Sequence, residues 1–222
     1  MPEISIREFL DPSADPAVRG FLHLPENANG DGLILTHGAG ANAQAPLLRA
    51  LAETFAAAGF TVLRCDLPFR QVRPFGPPGP GDAARDRAGL ATAVAAVKKF
   101  PASRIFLGGH SYGGRQASML CAEQPDLAAA LLLLSYPLHP PRRPEQQRTQ
   151  HLPDLRTPTL FVHGTRDPFG SIAELERAIK MIPAKTKLLP AEGAGHDLGF
   201  KGKTRKEELL ARVSEDFQKF VQ

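Results

Sequence analysis

The chain has no tryptophan, only two tyrosines and only two cysteines in 222 residues. Cys65 and Cys121 form neither a C-x-x-C pair nor a zinc-ligand spacing, so both are expected as buried free thiols. The excess of Lys and Arg over Asp and Glu is small, a formal net charge of +4, and aromatic stacking platforms are scarce. No nucleic-acid-binding module is recognisable, so a nucleic-acid partner is not expected. No apolar run reaches the length of a membrane span. Leu127 to Leu134 suffices only for a strand and its lead-in. Met1 to Arg7 lacks the charged-then-apolar order of a signal peptide. These absences together lead us to expect a soluble, cytoplasmic protein with no membrane partner.

The hydrophobic content is an ordinary 42%. The length suits one sizeable core, and no linker divides it, so a single domain over 1–222 is expected. Residues 3–9 and 17–24 alternate weakly about Asp11-Pro12-Ser13 and read as an antiparallel pair. Gly32–Thr36 reads as a strand and is followed by the glycine-rich loop His37–Asn42. Leu47, Leu48, Leu51, Phe55 and Ala58 then recur at helical spacing until Gly59. Phe60–Cys65 is the next strand. A Pro/Gly-rich loop expected to be irregular fills 66–81, and a helix covers about Asp82–Lys99. Further strands are expected at Arg104–Gly108, Ala128–Ser135, Thr159–His163 and Thr186–Leu189, with helices from Gly114 and at about 171–181 and 204–221. A second loop, rich in Pro and Arg, fills about 136–156. Leu131–Leu134 has helical propensity, yet the strand–helix rhythm favours a strand. Continuous apolar strands alternating with helices imply an α/β architecture, a mostly parallel central sheet with helices on both faces.

The most informative stretch is Gly109-His110-Ser111-Tyr112-Gly113, set between an apolar strand and a helix. A Gly-x-Ser-x-Gly pentapeptide in that context is a nucleophile elbow. The turn is so tight that side chains two before and two after the serine would collide with neighbours. It lifts the hydroxyl above the sheet and leaves the Tyr112 amide free to face an incoming carbonyl oxygen.

A serine nucleophile needs a base, and the base needs a carboxylate to fix its tautomer. In such sheets the order is Ser, acid, His, each on a strand-end loop. Asp167, four residues after His163, and His196, in Gly193-Ala194-Gly195-His196, fill these places with Ser111. The other histidines fit less well. His37 and His110 belong to the oxyanion loop and the elbow, His163 precedes the acid, and His23 lies in the lead-in pair. His139 and His151 fall on the second loop, as exposed polar residues or substrate contacts. Asp197 reads as a turn or cap residue, and no acid directly follows the strand ending at Ser135. One oxyanion donor is the Tyr112 amide. The other is assigned to Ala39, with Gly40 as the close alternative, because small residues at Gly38 and Gly40 let backbone approach substrate.

Thr36-His37-Gly38, the elbow, the strand-end Asp and the late Gly-x-Gly-His together resemble the α/β-hydrolase superfamily over nearly the whole chain. Leu35–Asn42 and Gly109–Arg115 more closely resemble a small branch similar to dienelactone-hydrolase-like proteins, which includes a subunit of a eukaryotic histone-acetyltransferase complex. Dienelactone hydrolases proper use a cysteine nucleophile. With Ser111 in its place, their specificity is not carried over. Members with an aspartate at the elbow, dehalogenases and epoxide hydrolases, are likewise set aside.

Many members insert a helical cap after the strand that here ends at Ser135. The Pro- and Arg-rich loop is too short for a large cap domain, so an open site is expected. Arg70, Arg73, Arg142 and Arg143 fall on loops at the edge that carries Ser111, which leads us to expect a cationic mouth and substrate contacts from these four, alongside Gly38 and Gly40. Phe69, Phe75 and Phe169 are candidates for an apolar wall or for core. The expectation is a serine hydrolase acting on a small soluble carboxylic ester, with neither metal nor organic cofactor required. Thioesterase or acyltransferase chemistry would use the same parts. A non-catalytic interaction module on this fold is the rival, and a homodimer is left open.

Overall fold

In the computed structural model, which describes residues 3–200 and 206–222, the apolar runs form one sheet. Its strands are β1 (Ile4–Asp11), β2 (Val18–Pro25), β3 (Asp31–Thr36), β4 (Thr61–Cys65), β5 (Arg104–His110), β6 (Ala130–Leu134), β7 (Thr159–Gly164) and β8 (Thr186–Ala191). They lie in the order β1-β2-β4-β3-β5-β6-β7-β8. β1 and β2 are antiparallel to their neighbours, and β4 through β8 are joined in parallel. The helices are α1 (Pro46–Ala57), α2 (Pro68–Val72), α3 (Asp82–Val97), α4 (Tyr112–Glu123), α5 (Ile172–Ile179) and α6 (Lys206–Phe220). Residues 204 and 205 of the expected last helix lie outside the described residues.

Period-two alternation sends successive strand residues to opposite faces, and both faces are apolar here. Ile34, Leu63, Leu107, Leu133 and Phe161 pack under Leu90 and Val94 of α3, Leu120 of α4 and Leu175 of α5. Leu33, Leu35, Val62, Leu132 and Val162 pack under Leu48 and Phe55 of α1 and Phe217 of α6. A fully buried leucine or phenylalanine contributes roughly 1.5–3 kcal/mol, so these two layers fix the sheet. Cys65 and Cys121 are buried free thiols, and burial pushes each up to about 12.

Two loops are more ordered than their composition suggests. Residues 66–81 contain α2, which Pro68 starts at its first turn, where its fixed φ is already helical. Between β6 and β7 there is only a 3-10 turn, Leu152–Asp154, and no cap helix. That segment is nonetheless packed. Tyr136 and Leu138 are buried, the Tyr136 hydroxyl donates to Arg148 O at 2.6 Å, and Arg148 N donates to Leu138 O at 2.8 Å. No described helix is long and apolar enough to cross a membrane. The parallel strands all end on one edge, which gathers the loops carrying residues 37–45, 111, 167 and 196.

Candidate active site

Ser111 stands between β5 and α4 with φ 51 and ψ −116, a conformation an L-residue adopts only under strain. The cost is about 1–3 kcal/mol. The glycines explain how the chain tolerates it. A Cβ on Gly109 would sit 2.7 Å from Gly114 N, and one on Gly113 would sit 2.5 Å from His37 O. The strand, the helix and the His37 loop therefore meet at the serine.

Ser111, His196 and Asp167 come together from three strand ends. His196 Nε2 accepts from Ser111 Oγ at 2.8 Å, and its Nδ1 donates to Asp167 Oδ2 at 2.8 Å and Oδ1 at 3.0 Å. A buried carboxylate as partner puts the proton on Nδ1 and leaves Nε2 free to take one from serine. The Asp167 side chain is fully buried, and its Oδ1 also accepts the Phe169 amide at 2.9 Å. The Phe169 ring stacks on His196, with ring centres 4.1 Å apart. A Cβ on Gly164 would lie 2.4 Å from Ala194 O, so the end of β7 touches the loop of His196 directly.

The remaining histidines are bonded to other parts of the fold. His163 is buried, its Nε2 donates to Gly170 O at 2.7 Å and lies 3.8 Å from Asp167, and burial pulls its pKa down. His37 Nε2 accepts Leu67 N–H at 3.1 Å while Nδ1 donates to Gly38 O at 2.9 Å. His110 donates to the backbone of His196, at His196 O. His139 and His151 are not the exposed or substrate-facing residues expected. His139 is buried, its Nδ1 donating to Pro140 O at 2.8 Å, and His151 Nε2 lies 2.8 Å from Ser118 Oγ.

The loop after β3 passes over the serine. A Cβ on Gly38 would lie 3.4 Å from Ser111 Cβ, whereas one on Gly40 would meet nothing within 4 Å. The amides of Ala39 and Tyr112 donate to no acceptor among the described residues. A cleft of about 660 Å³ opens at Ser111 and His196, lined by Gly38–Ala41, Ala45–Leu48, Pro168, Phe169, Asp197 and Phe200. It lies toward α1, and its side chains are largely apolar.

The expected arginine contacts need correction. Arg70 is 4% exposed and spends its guanidinium on four backbone carbonyls. It donates to Ala41 O, Ala39 O and Gly76 O at 2.8 Å each and to Arg73 O at 3.0 Å. It thus clamps the loop that carries Ala39 and Ala41 and does not face the cleft. Arg73 pairs with Asp82, and Arg142 and Arg143 are exposed on a turn. Among the described residues no Lys or Arg lines the cleft, so the four arginines do not make a cationic mouth. Of the three phenylalanines weighed as a wall, Phe169 lines the cleft, Phe69 is buried beside His37 and Tyr112, and Phe75 is 86% exposed. The reading of the sequence missed the apolar wall at Ala45, Pro46, Leu47 and Phe200. In the sequence Leu47 reads only as one of the residues at helical spacing, and its place at the first turn of α1 is the available signal. No group of three or more His, Cys, Asp or Glu among the described residues is placed to hold a metal ion.

Solved structures similar to this one include dienelactone hydrolase from Anabaena variabilis, at 22% identity, with 99% of each chain covered and a TM-score of 0.76. Est1E from Butyrivibrio proteoclasticus is 18% identical, with 97% of this chain and 98% of that chain covered and a TM-score of 0.72. TT1662 from Thermus thermophilus is 20% identical, with 99% of each chain covered and a TM-score of 0.72. At these identities the likeness is one of fold. Among curated proteins, a polyketide synthase, ThaQ, from Burkholderia thailandensis is 48% identical over 48 residues, which is 22% of this chain and only 2% of that protein. The model of the Alpha/beta hydrolase domain family matches residues 29–222. The strand order, the elbow and that match lead to one conclusion: the chain belongs to the alpha/beta hydrolase family.

Proposed function

We propose that the protein is a serine hydrolase that cleaves a small ester with an apolar group next to the scissile bond, through an acyl-enzyme. The observation that carries this reading is the unbroken line from Asp167 through His196 to Ser111, at 2.8 Å per step. In this reading His196 Nε2 takes the Ser111 proton as Oγ attacks the ester carbonyl. The imidazolium that forms is held by Asp167. The carbonyl oxygen gains negative charge and accepts from the Ala39 and Tyr112 amides, each worth on the order of 3 kcal/mol in the transition state. His196 then passes its proton to the leaving alcohol, and the C–O bond breaks. Water, deprotonated by the same imidazole, releases the acid and regenerates the serine.

The apolar lining supports an uncharged alkyl or aryl substituent, since burying a carboxylate there without a partner is costly. The names of similar folds, among them a ferulic-acid-bound Est1E and a bacterial heroin esterase, agree with ester chemistry. Thioester cleavage and acyl transfer to another alcohol would run through the same acyl-enzyme. The test is a fluorophosphonate probe together with a panel of p-nitrophenyl esters. Labelling and turnover, both abolished by Ser111→Ala, are expected. A folded protein that the probe does not label would favour a non-catalytic module.

A further inference from the structure

Asp86 is a fully buried carboxylate on α3, outside the line of Ser111, His196 and Asp167. Its Oδ2 accepts the Tyr112 hydroxyl at 2.7 Å, and its Oδ1 accepts the Phe69 amide at 3.1 Å. The second bond is a cap supplied by another element. Phe69 is in the first turn of α2, whose own N-cap, Leu67, has no side-chain acceptor to offer. Gly89, one turn along α3, makes room for this approach, because a Cβ there would lie 2.5 Å from Pro68 Cγ.

α2 and its flanks in turn grip the loop of the other oxyanion donor. Leu67 N–H donates to His37 Nε2, and Arg70 donates to Ala39 O and Ala41 O. The Phe69 ring stands edge-on to Tyr112 at 5.8 Å and leans on His37 at 5.7 Å. One carboxylate is thus bonded both to the residue that owns one amide and to the helix that holds the other.

We propose that Asp86 is a positioning residue for acyl transfer, fixing the separation of the Tyr112 and Ala39 amides by tying Tyr112 and α2 to a single point. This role presupposes the serine-hydrolase reading. The carboxylate does not touch the reacting atoms. It acts by holding two donors where charge develops, and such donors count only if they are aimed before the reaction begins.

Three variants test the ties. Asp86→Leu keeps the branched shape of the side chain and removes both acceptors, whereas Asp86→Asn, which can accept from the Phe69 amide through its oxygen and donate its NH2 to the Tyr112 hydroxyl oxygen, should recover part of the loss. Tyr112→Phe removes one bond alone and keeps the Tyr112 amide. With a neutral p-nitrophenyl ester, Asp86→Leu and Tyr112→Phe are each expected to lower kcat about tenfold or more while KM stays within about twofold. Affinity for a trifluoromethyl ketone, whose adduct with Ser111 carries the oxyanion, should fall by the same factor as kcat/KM. The double variant should lose less than the product of the single losses, since both ties end on one carboxylate. Circular dichroism checks that each variant is folded, and Tyr112→Phe serves if Asp86→Leu does not fold. A lower Tm with kcat and ketone affinity unchanged would reduce Asp86 to a stability role and overturn the proposal. A wild-type protein that neither turns over esters nor takes the probe would overturn the hydrolase reading and this role with it.

Discussion

The His110 ring donates its Nε2–H to the carbonyl oxygen of His196 at 2.7 Å, so the residue just before Ser111 holds the backbone of His196. The two rings lie 5.1 Å apart. Burial pulls His110 down to about 4, which keeps it a neutral donor at physiological pH. Ser111 and His196 are therefore registered twice, once through their side chains and once through this bond.

Removing that second link should misplace the base without removing it. His110→Ala is expected to lower kcat/KM about ten- to a hundredfold, the cost of a displacement of about 1 Å. His110→Gln, which can donate from a similar distance, should recover part of the loss. Steady-state ester hydrolysis decides it, and a His110→Ala enzyme with wild-type kcat/KM would show the bond to be irrelevant to catalysis.

Stability should fall on mild acidification. Burial pulls His23, His110 and His151 each from 6.5 to about 4. The unfolded chain takes up these protons below about pH 6.5, while the folded chain resists until about 4. The unfolded state thus binds more protons in that window, and folding weakens as pH drops through it, by on the order of 3 kcal/mol per histidine at the acid end. Melting curves from pH 7 to 4 should show a steep decline in Tm, flattened in His151→Gln. A Tm independent of pH in this range would contradict the burial of these rings.

The strain at Ser111 predicts a trade between stability and activity. Ser111→Gly relieves φ 51 and should raise the melting temperature, by about 1–3 kcal/mol of stability less the lost bond to His196, while abolishing turnover. Differential scanning calorimetry of the two proteins is sufficient. A lower Tm for Ser111→Gly would mean that the serine's bond outweighs its strain.

Substrate choice should answer to the wall on α1 and not to the loop arginines. Leu47→Trp, which fills the cleft, is expected to cut kcat/KM on long or aromatic acyl esters at least tenfold and to spare acetyl esters. Arg142→Ala with Arg143→Ala should leave rates on neutral and anionic esters within about twofold of wild type. The same ester panel reads both, and a selective loss on anionic esters in the arginine variant would return those residues to the substrate path.

The parts of this molecule that could be read from its sequence are those set by short-range sterics and periodicity. Gly109 and Gly113 are informative because the collisions they avoid lie within a few residues and the adjoining β3 end. The rhythm around Leu131–Leu134 favours a strand, and β6 occupies that place. Arg70, His151 and Asp86 could not be read this way. A charged residue in a Pro/Gly-rich loop looks solvated until tertiary packing presents it with backbone carbonyls, as Ala39 and Ala41 do for Arg70. The position of the cleft was hidden for a related reason. Leu47 carries the same apolar signal whether it faces the core or a substrate, and only the approach of α1 to Phe200 and Phe169 separates the two.

The close approach of Gly164 to the backbone at Ala194 and Gly195 joins the loops that carry Asp167 and His196. An insertion in either loop is expected to displace Asp167 and His196 together from Ser111. The opposite bank, from Ala45 to Leu48, hangs from a different strand and shares none of that contact. New specificities are most cheaply reached there, by remodelling a wall whose movement leaves the proton-relay geometry untouched.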